Sequence, residues 1–574
     1  MKLLFALSIF FIAGMLNAQT LPNNMTKEEK ELMKTYQPPV SSIETTTPPI
    51  GSVRTQAEWE ESSGFIMAWT SFTAIQAQII KYGQLEGKVY LFCSDSNSVK
   101  TYLTGQSVTP TSNIKYIYGA FNTIWARDYG PWAIYKNVMD SVSIVDWIYN
   151  RPRPLDDQIP VLLSNYLSIP IYSTTVSPNA LTHTGGNFMT DGNGTGFSSK
   201  LVLNENSGLT AAQVDTIMRK FMGITRYPKM ETLPYDQIHH IDMHIKLLDE
   251  ETLLVGQYPA GIADGPQIEA NLQYILNNFQ TCYGKPYKVV RIIMPPAANG
   301  TYPNNGGDYR TYTNSLIINK TVLVPTYAPQ YDSTALRIYR EAMPGYKVYG
   351  IDCNAIIPSL GAIHCITKEI GVPEPVFISH SGIRTSLPNA ANQVKAYIKT
   401  KSGVASARLF WRTDTLSAYS QINMNVTPGD TFTASIPSQP VGTKMYYYIS
   451  ATSVSGRTIE KPLTAPQGYY KYSYENITAV GNGSSEVRTY ALQQNYPNPF
   501  NPVTTIKYSV PEGSYITLKV YDMLGKEVAS LVNERKDAGD YQVNFNAGNN
   551  SSGVYYYKLI SGNYTSVRSM VLVK

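Results

Sequence analysis

Gly361-Ala362-Ile363-His364-Cys365-Ile366-Thr367 sets a thiol directly after a histidine. Three other short segments match it in kind: Trp125-Ala126-Arg127-Asp128, His239-His240-Ile241-Asp242 and Tyr312-Thr313-Asn314. The polar points Asp128, Asn187, Asp242, Asn314 and Cys365 lie 59, 55, 72 and 51 residues apart, one to each supersecondary unit. Strand-rich units with helices, repeated at roughly 50 to 70 residues, suggest an α/β architecture closing around a centre. A doubly wound sheet also fits the alternation. The spacing favours the closed form, because each unit then delivers one residue to a shared axis. A thiol, a histidine base and two carboxylates suit attack on a planar cationic carbon, for which guanidinium is the obvious candidate.

Local patterning agrees with such units. A helical stretch near Ala74 to Tyr82 precedes a strand at Lys88 to Cys93. Leu209 to Ile224 reads as a helix, with Val214, Ile217, Met218, Phe221 and Met222 on one face and Thr210 and Gln213 as a capping box. Asp264 to Phe279 reads likewise, with Pro266 in its first turn and Ile268, Leu272, Ile275 and Phe279 in a stripe. Hairpins are expected at His240 to Leu248 with Thr252 to Tyr258, and at Thr313 to Asn319 with Thr321 to Pro325. After Gly371-Val372-Pro373-Glu374-Pro375 helical periodicity disappears. Alternating strands such as Ala405 to Trp411 and Met445 to Ser450 suggest an immunoglobulin-like β-sandwich over 373–475. A Gly/Ser-rich linker (476–489) leads to a small all-β unit at 490–574.

Residues 1–18 read as a signal peptide: Lys2 starts it, Leu3 to Leu16 is apolar, and Leu16-Asn17-Ala18 offers a cleavage site. The apolar run is too short for a spanning helix and none follows, so export without stable membrane insertion is expected. Residues 19–49, ending in Thr45-Thr46-Thr47-Pro48-Pro49, read as a flexible pro-segment or linker. A net charge of +5 without a long basic run argues against nucleic acid as a partner. Cys93, Cys282, Cys353 and Cys365 are too few for a disulfide framework, and a Cys353–Cys365 bridge would disarm the candidate nucleophile.

His240 and Asp242, two apart on an expected strand, would point the same way, the carboxylate supporting the imidazolium. His244 would share that face, and the three could hold a transition metal. With no second ligand cluster in the sequence, no metal is expected. Asp128 before Tyr129-Gly130-Pro131 is either a turn residue or a site carboxylate. In Tyr149-Asn150-Arg151-Pro152-Arg153-Pro154 the prolines stiffen the backbone, and both guanidinium groups would fall on one side. They form either a carboxylate clamp or a solvated basic surface. Gly185-Gly186-Asn187 and Asp191-Gly192 read as turns where backbone approaches closely.

At these residues the chain resembles the Porphyromonas-type peptidylarginine deiminase family, relatives of agmatine deiminase. The resemblance covers about 50–372 and rests on Trp125 to Pro131, Thr184 to Asn187 with Asp191-Gly192, His239 to Asp242, Tyr312 to Ser315 and Gly361 to Cys365. It implies a five-bladed α/β propeller (pentein) catalytic domain, release of ammonia from an arginine side chain, and no cofactor. Matched residue by residue, Cys365 resembles the nucleophile, His240 the general acid/base, Asp128 and Asp242 the carboxylates on the guanidinium, and Asn314 the active-site asparagine. Trp125 and Ile238 fall on the substrate wall. The Arg151-Pro152-Arg153 segment is similar to the part that holds a substrate's terminal carboxylate, which implies arginine at a peptide C-terminus. Agmatine, free arginine, or an inactive adhesin are the alternatives. Residues 490–574 resemble a type IX secretion sorting domain, marked by Asn495-Tyr496-Pro497-Asn498-Pro499-Phe500-Asn501-Pro502. That implies the secretion machinery as a partner, and release from or attachment to a Gram-negative surface.

Overall fold

The computed structural model describes residues 21–39, 41–137, 139–384, 386, 391–474, 490–495, 497–511, 513–562 and 564–573. The expected signal peptide and the 476–489 linker lie outside the described residues. Two compact units divide at Glu475/Asn476.

In the first unit, residues 53–371 form five sheets that repeat one scheme: an antiparallel strand pair, a helix, then a strand returning parallel to the second. The simplest copy is Ile245–Asp249 and Thr252–Gln257, the helix Gly265–Asn278, and Lys288–Ile293. The next is Leu316–Ile318 and Thr321–Thr326, the helix Pro329–Ala342, and Lys347–Asp352. In the last copy Lys368–Gly371 pairs antiparallel with Ser62–Ala68, so the end of this region completes a sheet begun at its start. A parallel return needs a crossover, and the amphipathic helices supply it while covering the sheets.

The expected helices are present. Ala211–Met222 starts at a Thr210/Gln213 capping box and buries Val214, Ile217, Met218, Phe221 and Met222. Gly223 ends it at φ 69°, where a Cβ would stand 1.9 Å from the Val53 carbonyl oxygen. Gly265–Asn278 buries Ile268, Leu272 and Ile275. One expected strand differs. His240 to His244 is not extended: His239 takes a left-handed φ of 57° and Ile241–Met243 is a single 3-10 turn, so the strand begins at Ile245.

Residues 19–49 differ as well. Where described they are not a loose linker: Lys27–Met33 is a helix capped by Thr26 and Glu29, and Thr45 bridges Tyr172 on a sheet edge. The remainder of the unit is a two-sheet antiparallel sandwich around Val394, Leu409, Ile436 and Ile449. Arg457–Glu61 and Lys461–Glu250 ion pairs, both at 2.6 Å, dock it on the α/β region. The second unit is all-β, two antiparallel sheets sharing a core of Leu492, Ile506, Leu518 and Tyr557. No helix among the described residues is long and apolar enough to cross a membrane.

The helix Ala211–Met222 provides a test of the local account. Thr210→Ala removes one cap hydrogen bond and is expected to cost about 1 kcal/mol. Gly223→Ala is expected to cost more, since strain and a backbone clash add. Chemical denaturation of both variants, followed by far-UV circular dichroism, checks the order; an equal or reversed ranking contradicts it.

Candidate functional site

The polar points occupy equivalent places. Each lies just before the first strand of its copy: Asp128 before Trp132–Lys136, Asn187 before Met189–Thr190, Asp242 before Ile245–Asp249, Asn314 before Leu316–Ile318, Cys365 before Lys368–Gly371. Asp128, Asn187, Asp242 and Cys365 sit on single helical turns, which aim side chains off the strand line. All five are at most 1% exposed.

Asn314 organises the thiol. Its Oδ1 accepts from the backbone N–H groups of Ala362 and His364, each at 3.1 Å, and of Cys365 at 3.4 Å. Its Nδ2 donates to Cys365 Sγ at 3.2 Å. Gly361 makes room: a Cβ there would lie 2.5 Å from the Trp125 ring and 3.1 Å from the thiol sulfur. All four cysteines are free, so Cys353 does not bridge Cys365.

The carboxylates stand on either side. Asp128 Oδ1 accepts from Gly186 N–H at 3.1 Å and lies 3.5 Å from His240 Nδ1. The glycine reading holds here, since a Cβ on Gly186 would fall 2.4 Å from His240 Nδ1 and one on Gly185 1.9 Å from the Arg127 carbonyl. Asp242 Oδ2 bonds His364 Nδ1 at 2.7 Å and lies 3.9 Å from the Cys365 sulfur. His240 and Asp242 therefore share no hydrogen bond, although the Asp242 charge still favours the imidazolium against burial. The turn at Ile241–Met243 sends Asp242 to His364 and leaves His240 against Asp128. Asp128 Oδ2, Asp242 Oδ1 and both His240 ring nitrogens are buried without a hydrogen-bond partner. Buried polar atoms are almost always paired, so this cluster is an acceptor-rich cradle suited to a donor-rich ligand.

Electrostatics fix the resting protonation. Burial, then the Asp242 and Asp128 charges, push the Cys365 thiol well above its ordinary range. Burial holds His240 down to about 3. At neutral pH the pair is thiol and uncharged imidazole. A bound cation would reverse the carboxylates' effect on the thiol.

Arg151 and Arg153 are buried, 5% and 1% exposed, which excludes a solvated basic surface. Arg151 Nε donates to the Asn23 carbonyl at 2.9 Å, and Arg153 Nε donates to Glu29 Oε1 at 2.7 Å. Trp125 Nε1 donates to the Leu21 carbonyl at 3.0 Å. Ile238, two residues before His240, is buried, its N–H on Asp236 Oδ1 at 3.1 Å. Asn187 is tied to Ser199 and braces its turn. His244 is buried with both ring nitrogens unpartnered, and among the described residues no group of three or more His, Cys, Asp or Glu side chains is arranged to hold a metal.

Sequence reading passed over the support beneath these residues. His364 Nε2 lies 3.2 Å from Glu58 Oε2, which also takes Lys246 Nζ at 2.8 Å. Arg127 Nη1 pairs Glu369 Oε2 at 2.8 Å, and Lys368 pairs the same carboxylate's other oxygen. The available signal was charge inside strands: Lys246 and Lys368-Glu369 interrupt apolar runs that are otherwise buried.

The fold is shared with solved deiminases. The X-ray structure of "putative agmatine deiminase" superposes with a TM-score of 0.52 at 19% identity, covering 58% of this chain and all of that one. The class is thus the mixed α/β fold of that structure. Residues 54–371, more than half of the chain, match the family described as Porphyromonas-type peptidyl-arginine deiminase, and the chain belongs to that family of amidine C–N hydrolases. Residues 494–574 match the secretion system C-terminal sorting domain, which marks the chain for type IX secretion and release or surface attachment. Curated relatives include "Putative agmatine deiminase" of Mycoplasma mycoides subsp. mycoides, 24% identical over 287 residues (45% of this chain, 77% of the relative). The protein of that name from Yersinia pseudotuberculosis serotype O:1b is 23% identical over 305 residues (47% and 80%).

If the two carboxylates hold the Cys365 proton in place, Asp242→Asn removes one of them and should raise the thiolate fraction. Alkylation of Cys365 by iodoacetamide at pH 8, mapped by mass spectrometry, is then faster in the variant than in the parent. The parent's own rate should climb only above pH 9, the ordinary thiol value. A slower variant would mean that Asp242 activates the thiol directly.

Proposed function

We propose that the chain is an exported peptidylarginine deiminase that converts arginine at a peptide C-terminus to citrulline and ammonia. The observation that carries this reading is the Glu29 carboxylate seated on Arg153 at 2.7 and 3.2 Å, with Arg151 alongside: a carboxylate site close to the cradle of Asp128. Agmatine has no carboxylate to place there. The agmatine deiminase names of the relatives favour the second reading, in which Arg151 and Arg153 serve only the chain's own N-terminal segment.

In the proposed mechanism the guanidinium fills the cradle, its N–H groups donating to Asp128 Oδ2 and Asp242 Oδ1. Its charge lowers the Cys365 pKa, and Asn314 Nδ2 supports the thiolate. Cys365 Sγ attacks the central carbon. The tetrahedral adduct collapses as the C–N bond breaks, the nitrogen leaving as ammonia with the proton that His240 took from the thiol. The product is an S-alkylthiouronium. His240 then takes a proton from water, hydroxide adds to the same carbon, and the C–S bond breaks to restore the thiol and leave a urea group. Positioning and charge complementarity supply most of the rate, and no cofactor enters.

The five sheets are read as propeller blades, the sandwich as immunoglobulin-like over 373–475, and residues 1–18 as the export signal. These complete the proposed architecture of a catalytic domain at 50–372 and a sorting domain at 490–574.

Cys365→Ala is expected to abolish citrulline formation, and turnover near that of the parent would end the thiol mechanism. Arg151→Ala with Arg153→Ala should cut kcat/KM for a peptide ending in free arginine about tenfold or more relative to its C-terminal amide, since a charge-assisted fork is worth roughly 1.5–3 kcal/mol. Taking the acid-to-amide ratio removes any effect common to both substrates. Equal losses for the two, or preference for agmatine, would assign the activity to the second reading.

A further inference from the structure

We propose that residues 21–36 occupy the peptide-binding cleft of the enzyme in the manner of a substrate and keep the chain inactive until they are released. This rests on the deiminase reading for the word substrate, but the occupancy is carried by geometry alone.

Four consecutive residues are held by the side chains assigned to the substrate. The Leu21 carbonyl accepts from Trp125 Nε1 at 3.0 Å, that of Pro22 from Arg153 Nη2 at 2.8 Å, that of Asn23 from Arg151 Nε at 2.9 Å, and that of Asn24 from Arg153 Nη2 at 3.3 Å. Asn23 is 0% exposed, and its N–H donates to the Ser359 carbonyl at 2.9 Å, close in sequence to the thiol loop. The Asn23 amide lies beside Asp128 and favours its ionised form, while burial favours the neutral one. Asn24 Nδ2 donates to Gln237 Oε1 at 3.2 Å, next to Ile238.

Glu29 completes the imitation. Both its oxygens meet Arg153, and Oε2 also accepts from Thr26 N–H at 2.8 Å as half of the capping box. One carboxylate thus caps the helix Lys27–Met33 and fills the carboxylate site. Burial disfavours its charge, but Arg153 outweighs burial and holds Glu29 below the usual carboxylate range. With this segment seated, Cys365, His240, Asp128 and Asp242 are all buried, a closure assigned to the segment.

The segment is built to come away. The helix buries none of its residues, and Lys27, Lys30 and Lys34 are exposed. A second anchor lies downstream: Thr45 N–H donates to the Ile171 carbonyl at 3.0 Å and Ser173 N–H to the Thr45 carbonyl at 2.9 Å. That anchor keeps residues 21–36 at high local concentration through a short tether, and cutting the tether removes the advantage.

The test uses the full chain with a site-specific protease sequence inserted around Val40, and a second, uncut chain carrying Glu29→Lys. Alkylation of Cys365 by iodoacetamide, mapped by mass spectrometry, reads access to the thiol without turnover. Nicking, and separately Glu29→Lys, should raise that rate at least tenfold. A synthetic peptide of residues 21–36 added to the nicked chain should lower it again. A parallel rise in citrulline from an arginine-terminated peptide is expected. A rise in thiol access without citrulline formation would sustain the occupancy and overturn the peptidylarginine reading. An unchanged alkylation rate in both the nicked chain and the Glu29→Lys chain would overturn the present proposal and leave the deiminase reading untouched.

Discussion

Asp242, His364, Glu58 and Lys246 form a chain of buried ionisable groups, and the site depends on it. His364 bonds Asp242 at 2.7 Å and faces Glu58 at 3.2 Å, while Lys246 holds Glu58 at 2.8 Å. Burial alone would neutralise Glu58, but Lys246 and then His364 hold it well below the usual carboxylate range. Removing one member of such a chain strands the charge of the next, which is more costly than never burying either. The chain also locks geometry: Asp242 precedes one strand pair, His364 precedes another, and Glu58 lies between Val53–Thr55 and Ser62–Ala68. Arg127, beside Asp128, joins the same centre through the His364 carbonyl at 3.3 Å and through Glu369.

The repeated sheet explains why single turns can carry the chemistry. Each copy begins with an antiparallel pair, and the loop entering its first strand is backbone free of the ladder. A short turn there points a side chain away from the strand. Glycine follows from the resulting crowding: Gly185, Gly186 and Gly361 sit where any Cβ would collide with Arg127, His240 or Trp125. The cradle is preorganised, with unpaired acceptors fixed before a ligand arrives.

Much of this was legible from spacing and pattern. Helices with one apolar face and a capping box sit within two residues of where periodicity put them, because burial and local capping act within the segment itself. The interval between polar points reported one residue per copy, and the glycine pairs reported close approach. The expected strand geometry of His240 and Asp242 is absent, because a left-handed His239 ends the extended backbone before period-two reasoning can apply, while the Asp242 charge still favours the imidazolium. Of the two readings of the N-terminal segment, the flexible linker does not hold. Its composition is polar and proline-rich, as in a linker, yet its carbonyls are bound by arginines more than a hundred residues away.

The amino-acid sequence by itself determined which residues could do chemistry and at what interval they recur, because residue type and periodicity are local properties. It determined the amphipathic helices, the turns and the two all-β regions for the same reason. Only the tertiary structure decided the partners: Asp128 for His240, His364 for Asp242, Asn314 for the thiol, Glu29 for Arg153. Each pair joins different copies of the sheet or distant segments, and its hydrogen bonds and Coulomb attraction, strengthened where water is excluded, must offset the cost of desolvating the groups. Protonation was decided there as well, since a thiol and an imidazole acquire shifted pKa values only after burial among their neighbours.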